Sequence, residues 1–134
     1  MNNKIYTNLN DCINDVLSLS SNYACEGVEK NIGGPFGAGI IQKIDNSYKI
    51  ICIERNTVIY SKDATSHAEV NAICQAAKNG VSIDGATLYC RMTPCRNCAM
   101  AIINSGIKRV VVQRLYHSGD ESIKMFKEAG VKFE

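Results

Sequence analysis

Near the end of the chain a valine-rich run, Lys108 to Gln113, and a short apolar run, Val131 to Phe133, flank the segment Asp120 to Ala129. In that segment Ile123, Phe126 and Ala129 recur at three-residue steps. The spacing predicts a helix between two strands. Such a connection leaves no tight hairpin, so the two strands are expected to lie parallel, in a sheet covered by helices. All-α and all-β architectures are thereby excluded.

The rest of the chain fits the same architecture. Leu9, Cys12, Ile13, Val16, Leu19, Ser20, Tyr23 and Ala24 follow helical spacing and predict a first helix ending near Gly27. Ile32 to Gly39 holds four glycines and one proline, so the backbone must bend or approach something closely there. Ala38 to Lys43 and Tyr48 to Glu54 read as two strands joined by a turn at Asp45-Asn46-Ser47. A polar connector, Arg55 to Thr65, leads to a helix from Ser66 to Lys78, then a strand from Ala86 to Cys90. A further helix runs to Gly106, with Pro94 in its first turn. The order predicts a three-layer α/β/α domain with a central five-stranded mixed sheet whose last two strands are parallel. At 134 residues it is expected to be one domain spanning 1–134.

Composition bears on partners. Lys plus Arg exceeds Asp plus Glu by 15 − 13 = 2, and no basic run is present to neutralise a nucleic-acid backbone, so a polynucleotide partner is disfavoured. Met1 to Asn10 lacks the apolar core of a secretory signal, and no stretch approaches the roughly 18 apolar residues of a membrane span. The expectation is a cytoplasmic chain with no membrane partner. In that setting the odd number of cysteines, seven, points to free thiols or metal ligands rather than a disulfide framework. Cys12, Cys52 and Cys74 are expected in the core, while Cys25 and Cys90 have no clear assignment.

Three of the metal-competent side chains stand at helix starts: His67, and Cys95 with Cys98. Cysteines three apart share one face of a helical turn, where partial positive charge favours thiolate. A Cys-x-x-Cys pair alone fits a redox dithiol, half of a structural zinc site, or plain burial. With His67 it makes three ligands, the number a catalytic zinc site takes, with water in the fourth place. Glu69, two residues after His67, supplies a carboxylate beside the metal, where it can move a proton of that water.

His67-Ala68-Glu69 followed by Pro94-Cys95-Arg96-Asn97-Cys98 resembles the signature of the zinc-dependent cytidine and deoxycytidylate deaminase superfamily. The likeness to deoxycytidylate deaminases extends over His67 to Ala77, Gly85-Ala86-Thr87-Leu88-Tyr89, Thr93 to Cys98, Ile102 to Val111 and Glu128-Ala129-Gly130-Val131. The first half departs from it. Gly33-Gly34-Pro35-Phe36-Gly37-Ala38, Asn56 and Asp63-Ala64-Thr65 are more similar to guanine and tRNA adenosine deaminases. The Gly-Tyr-Asn-Gly segment of many deoxycytidylate deaminases is replaced by Ile53-Glu54-Arg55-Asn56-Thr57.

The resemblance implies a cytidine deaminase-like fold and zinc held by His67, Cys95 and Cys98. It also implies hydrolytic replacement of an exocyclic amine, with Glu69 moving the protons. Asn56, Phe36, Gly37, Ala38, Ala68, Thr93 and Pro94 are the implied substrate-binding residues, and association into a homo-oligomer is expected by analogy. His117, beside Tyr116 after the fourth strand, reads as a loop histidine. The expected substrate is a small molecule, a free cytosine nucleotide or nucleoside with dCMP first. Guanine is the alternative within the superfamily. A structural zinc-binding interaction module, closed by a fourth ligand such as Cys90 or His117, and a thiol redox protein are the alternatives of other classes.

Overall fold

The computed structural model describes residues 4–134. Its strands are β1 (Ile5–Tyr6), β2 (Gly37–Ile44), β3 (Ser47–Arg55), β4 (Thr87–Met92), β5 (Arg109–Arg114) and β6 (Lys132–Phe133). The helices are α1 (Leu9–Glu29), α2 (Val58–Ser61), α3 (Ala68–Lys78), α4 (Arg96–Asn104) and α5 (Asp120–Glu128). One sheet takes the order β1-β3-β2-β4-β5-β6. Its first half is antiparallel, while β4-β5 and β5-β6 are parallel, with Arg109 opposite Lys132 and Val110 opposite Phe133. The parallel ending follows from α5, as expected from the spacing.

The sheet has six strands rather than five. The added edge strand, β1, pairs Ile5 with Lys49 and Tyr6 with Tyr48, and the buried Tyr6 donates its hydroxyl hydrogen to Asp15 at 2.6 Å. Two residues are too few to carry a period. Three further expectations are corrected. Pro94 precedes α4 instead of standing in its first turn, because Cys95 takes the N-cap position; the polar connector contains α2; and Cys74 is exposed on α3.

Helix α1 covers one face. Its N-cap Asn8 accepts from the backbone N–H groups of Asn10 and Asp11 at 2.8 and 3.3 Å, and its stripe of Cys12, Val16, Ser20 and Ala24 is buried. Cys12 and Val16 pack with Tyr6, Ile41, Ile50 and Tyr89. The glycines of β2 permit this contact: a Cβ on Gly37 would lie 2.4 Å from the Ser20 carbonyl oxygen, and one on Gly39 would lie 2.7 Å from Val16 Cγ1. The close approach read from the glycine-rich segment is therefore the docking of α1.

The other face packs under α3, α4 and α5. Ala68, Ala72 and Ala76 bring α3 close to β2 and β3, and Ile102, Val110 and Phe126 fill the space beyond. Complete burial of a side chain such as Phe126 contributes about 1.5–3 kcal/mol. A bulge in β3 leaves Ile51 without a partner between the pairs Ile40–Cys52 and Ile41–Ile50, so Ile51 and Cys52 belong to the same packed cluster. Among the described residues no helix is long and apolar enough to cross a membrane.

Candidate active site

Two helix starts converge. His67 is the N-cap of α3 and Cys95 the N-cap of α4, and neither side chain bonds to its own helix. Both turn toward each other instead: His67 Nδ1 lies 3.5 Å from Cys95 Sγ and 3.4 Å from Cys98 Sγ, and the three ligand atoms lie within 4.8 Å of one another. Zinc bonds of about 2.0–2.1 Å to nitrogen and 2.3 Å to sulfur at a tetrahedral angle require a nitrogen–sulfur separation of about 3.6 Å, which both His67–cysteine separations match closely.

The electrostatics fit a cation as well. Burial pushes the Cys98 thiol up, with the Glu69 and Cys95 charges adding to the shift, so ionising this thiol calls for a compensating positive charge. Burial also raises the Glu69 carboxyl, while its own backbone N–H, His67 and Cys98 pull the other way. Glu69 stands in the first turn of α3, buried, and outside the ligand set. Among the described residues no fourth ligand closes the group. Cys90 Sγ instead donates to the Met92 carbonyl at 3.4 Å, and the His117 ring lies 4.4 Å from that of Tyr116 in an exposed loop.

His67 and Cys95 border a cavity of about 240 Å³, while Cys98 is buried and outside its lining. The helix starts contribute His67, Glu69 and Cys95; the glycine segment and the end of β3 contribute Phe36, Gly37 and Asn56; and β4 with its following turn contributes Arg91, Met92 and Thr93. Tyr116, after β5, completes the lining. Thr93 holds that loop: its hydroxyl accepts from the Tyr116 N–H at 3.1 Å, and Gly119 packs so closely that a Cβ there would meet Thr93 Cγ2 at 2.5 Å. Of the residues expected at the substrate, Ala38, Ala68 and Pro94 are buried in the surrounding walls and do not line the cavity.

Asn56 is fixed by its surroundings. Its Oδ1 accepts from the backbone N–H groups of Gly34 and Val58 at 3.2 and 3.1 Å, and its own N–H donates to the Phe36 carbonyl at 3.0 Å. Two backbone donors on one atom identify that atom as oxygen, so the amide nitrogen is left as a donor for whatever occupies the cavity. Gly33 is required beneath it, since a Cβ would lie 2.1 Å from the Asn56 carbonyl oxygen. Sequence reasoning missed Arg91, Met92 and Tyr116 as lining residues. The available signal was an arginine interrupting an apolar strand, Leu88-Tyr89-Cys90-Arg91, just before the Thr93-Pro94-Cys95 turn.

Residues 11–114 match the family described as the cytidine and deoxycytidylate deaminase zinc-binding region, and the chain belongs to that family. It is 56% identical over 50 residues to deoxycytidylate deaminase of Enterobacteria phage T2, covering 37% of this chain and 27% of that protein. It is 46% identical over 81 residues to guanine deaminase of Bacillus subtilis (strain 168), covering 59% of this chain and 49% of the relative. The X-ray structure of Bacillus subtilis guanine deaminase superposes with a TM-score of 0.67 at 36% identity, over 89% of this chain and 70% of the other. The matches thus span about a quarter to a half of the length of these curated relatives.

Proposed function

We propose that the protein is a zinc-dependent hydrolytic deaminase of a free cytosine nucleotide or nucleoside, dCMP first, yielding the uracil product and ammonia. The observation that carries this reading is the open trio of His67, Cys95 and Cys98 beside a buried, non-ligating Glu69 at one cavity. A structural zinc site would be closed by a fourth protein ligand.

His67, Cys95 and Cys98 would hold zinc, which when bound would supply the Lewis acidity that lowers the pKa of water to about 7. Glu69 takes a proton from the attacking water and delivers it to the ring nitrogen beside the amine-bearing carbon. It then carries a second proton to the departing amine, so that water adds, the carbon–nitrogen bond breaks and ammonia leaves. A single carboxylate serves both steps because the two protons move in sequence. Asn56 donates its amide hydrogen to an acceptor on the substrate, and Phe36 and Tyr116 offer flat apolar surface to the ring.

A purine base is the second reading, favoured by the similarity of the Gly33–Ala38 segment and Asn56 to guanine deaminases and by the superposition over most of the chain. The exposed apolar side chains Ile59, Tyr60, Met100 and Leu115 support association into a homo-oligomer. Ammonia release across cytosine, cytidine, deoxycytidine, CMP, dCMP, guanine, adenine and an anticodon stem-loop tests the assignment. Turnover confined to guanine, adenine or the stem-loop defeats the pyrimidine assignment, and turnover of no member defeats the deaminase reading.

A further inference from the structure

We infer that Arg91 is the residue by which this site recognises a phosphate on its substrate, making a nucleoside monophosphate its preferred ligand. The inference rests on the deaminase reading and deepens it. Arg91 is the next-to-last residue of β4, is half-buried, and lines the same cavity as His67 and Glu69. One guanidinium nitrogen donates to the Pro35 carbonyl at 2.9 Å, which ties the arginine to the segment that carries Phe36. Among the described residues no carboxylate forms an ion pair with Arg91 or Arg114, whereas Arg55, Arg96 and Arg109 each have one, and of the two unpaired arginines Arg91 lines the cavity.

A guanidinium has five N–H donors in a planar fork, and the bond to Pro35 uses one. The remaining donors and the uncompensated charge match a phosphate, which an arginine grips by paired, charge-assisted bonds. A neutral nucleoside leaves that charge unanswered. The sequence holds no phosphate-binding loop, and one anchored cation at the cavity wall provides an anion contact without it. It also speaks to the substrate directly, because a bare base has no anionic group to offer.

The test uses the zinc-loaded full chain, with kcat/KM measured for dCMP, deoxycytidine and guanine and calorimetric binding measured for dUMP and deoxyuridine. In Arg91→Ala the preference for dCMP over deoxycytidine falls at least about tenfold, chiefly through a higher KM for dCMP, and Arg91→Lys retains part of it. The preference for dUMP over deoxyuridine in binding falls in parallel. An equal loss for nucleotide and nucleoside overturns the inference, because Arg91 then only holds Pro35. A guanidinium also pairs with O6 and N7 of guanine, so a loss confined to guanine overturns it too. If no substrate is turned over but dUMP binding depends on Arg91, the deaminase reading fails and the phosphate site stands. If dUMP binds no better than deoxyuridine in the unmutated protein, the phosphate site fails.

Discussion

The side-chain amide of Asn71, one turn into α3, donates to the backbone carbonyl of Arg55 at 2.9 Å, at the end of β3. The same nitrogen reaches Thr57 Oγ1 at 3.0 Å and the Ser66 carbonyl at 3.3 Å. One side chain thus pins both ends of the connector that carries Asn56 at its start and leads into His67. Asn71→Ala leaves these carbonyls without that donor, and we expect a loss of about 1–3 kcal/mol in urea unfolding. A change below about 0.3 kcal/mol contradicts the assignment of Asn71 as the pin.

Removing a ligand should remove the metal. On the proposed ligand set Cys95→Ala leaves two ligands, so zinc per chain, measured by elemental analysis after dialysis, should fall well below one and thermal stability should fall with it. Full occupancy in this variant would show that Cys95 is no ligand.

Glu69→Gln separates chemistry from structure. The amide is isosteric but carries no exchangeable carboxyl proton, so zinc content and fold should persist while kcat falls by about 10² or more. A loss under tenfold is incompatible with proton transfer by Glu69.

Glu54, half-buried on β3, gives a pH dependence. Burial raises its carboxyl, outweighing the lowering by Arg55. A carboxyl with a raised folded pKa contributes stability below its unfolded value, about 4.3, and loses it as pH rises through the folded value. At neutral pH the ionised group is therefore a cost. We expect Glu54→Gln to stabilise the protein by about 0.5 kcal/mol at pH 7 after solvent screening, with the gain vanishing below about pH 4. A gain that is constant across this range rules out the carboxyl as its source.

What the sequence made legible was local or strongly periodic. The helix at Asp120 to Ala129 dictated the parallel ending, and the His-Ala-Glu and Pro-Cys-x-x-Cys segments marked the helix starts that meet at the cavity. What escaped depends on long-range packing. The unpartnered Ile51 shifts the parity of β3 in a way alternation cannot reveal. Cys74 occupies an apolar spacing yet lies on the exposed side of α3, whose stripe of Ala68, Ala72 and Ala76 faces the core. Arg91 became visible as a cavity residue only once β4 was paired beside β2.

The most direct test of the central claim is the reaction of the zinc-loaded chain with dCMP, following ammonia and the nucleotide product together. The account predicts one ammonia and one dUMP for each dCMP consumed, with kcat/KM for dCMP above that for guanine. Guanine turned over at least tenfold more efficiently than dCMP contradicts the pyrimidine assignment. No ammonia from either substrate at full zinc occupancy contradicts the deaminase itself.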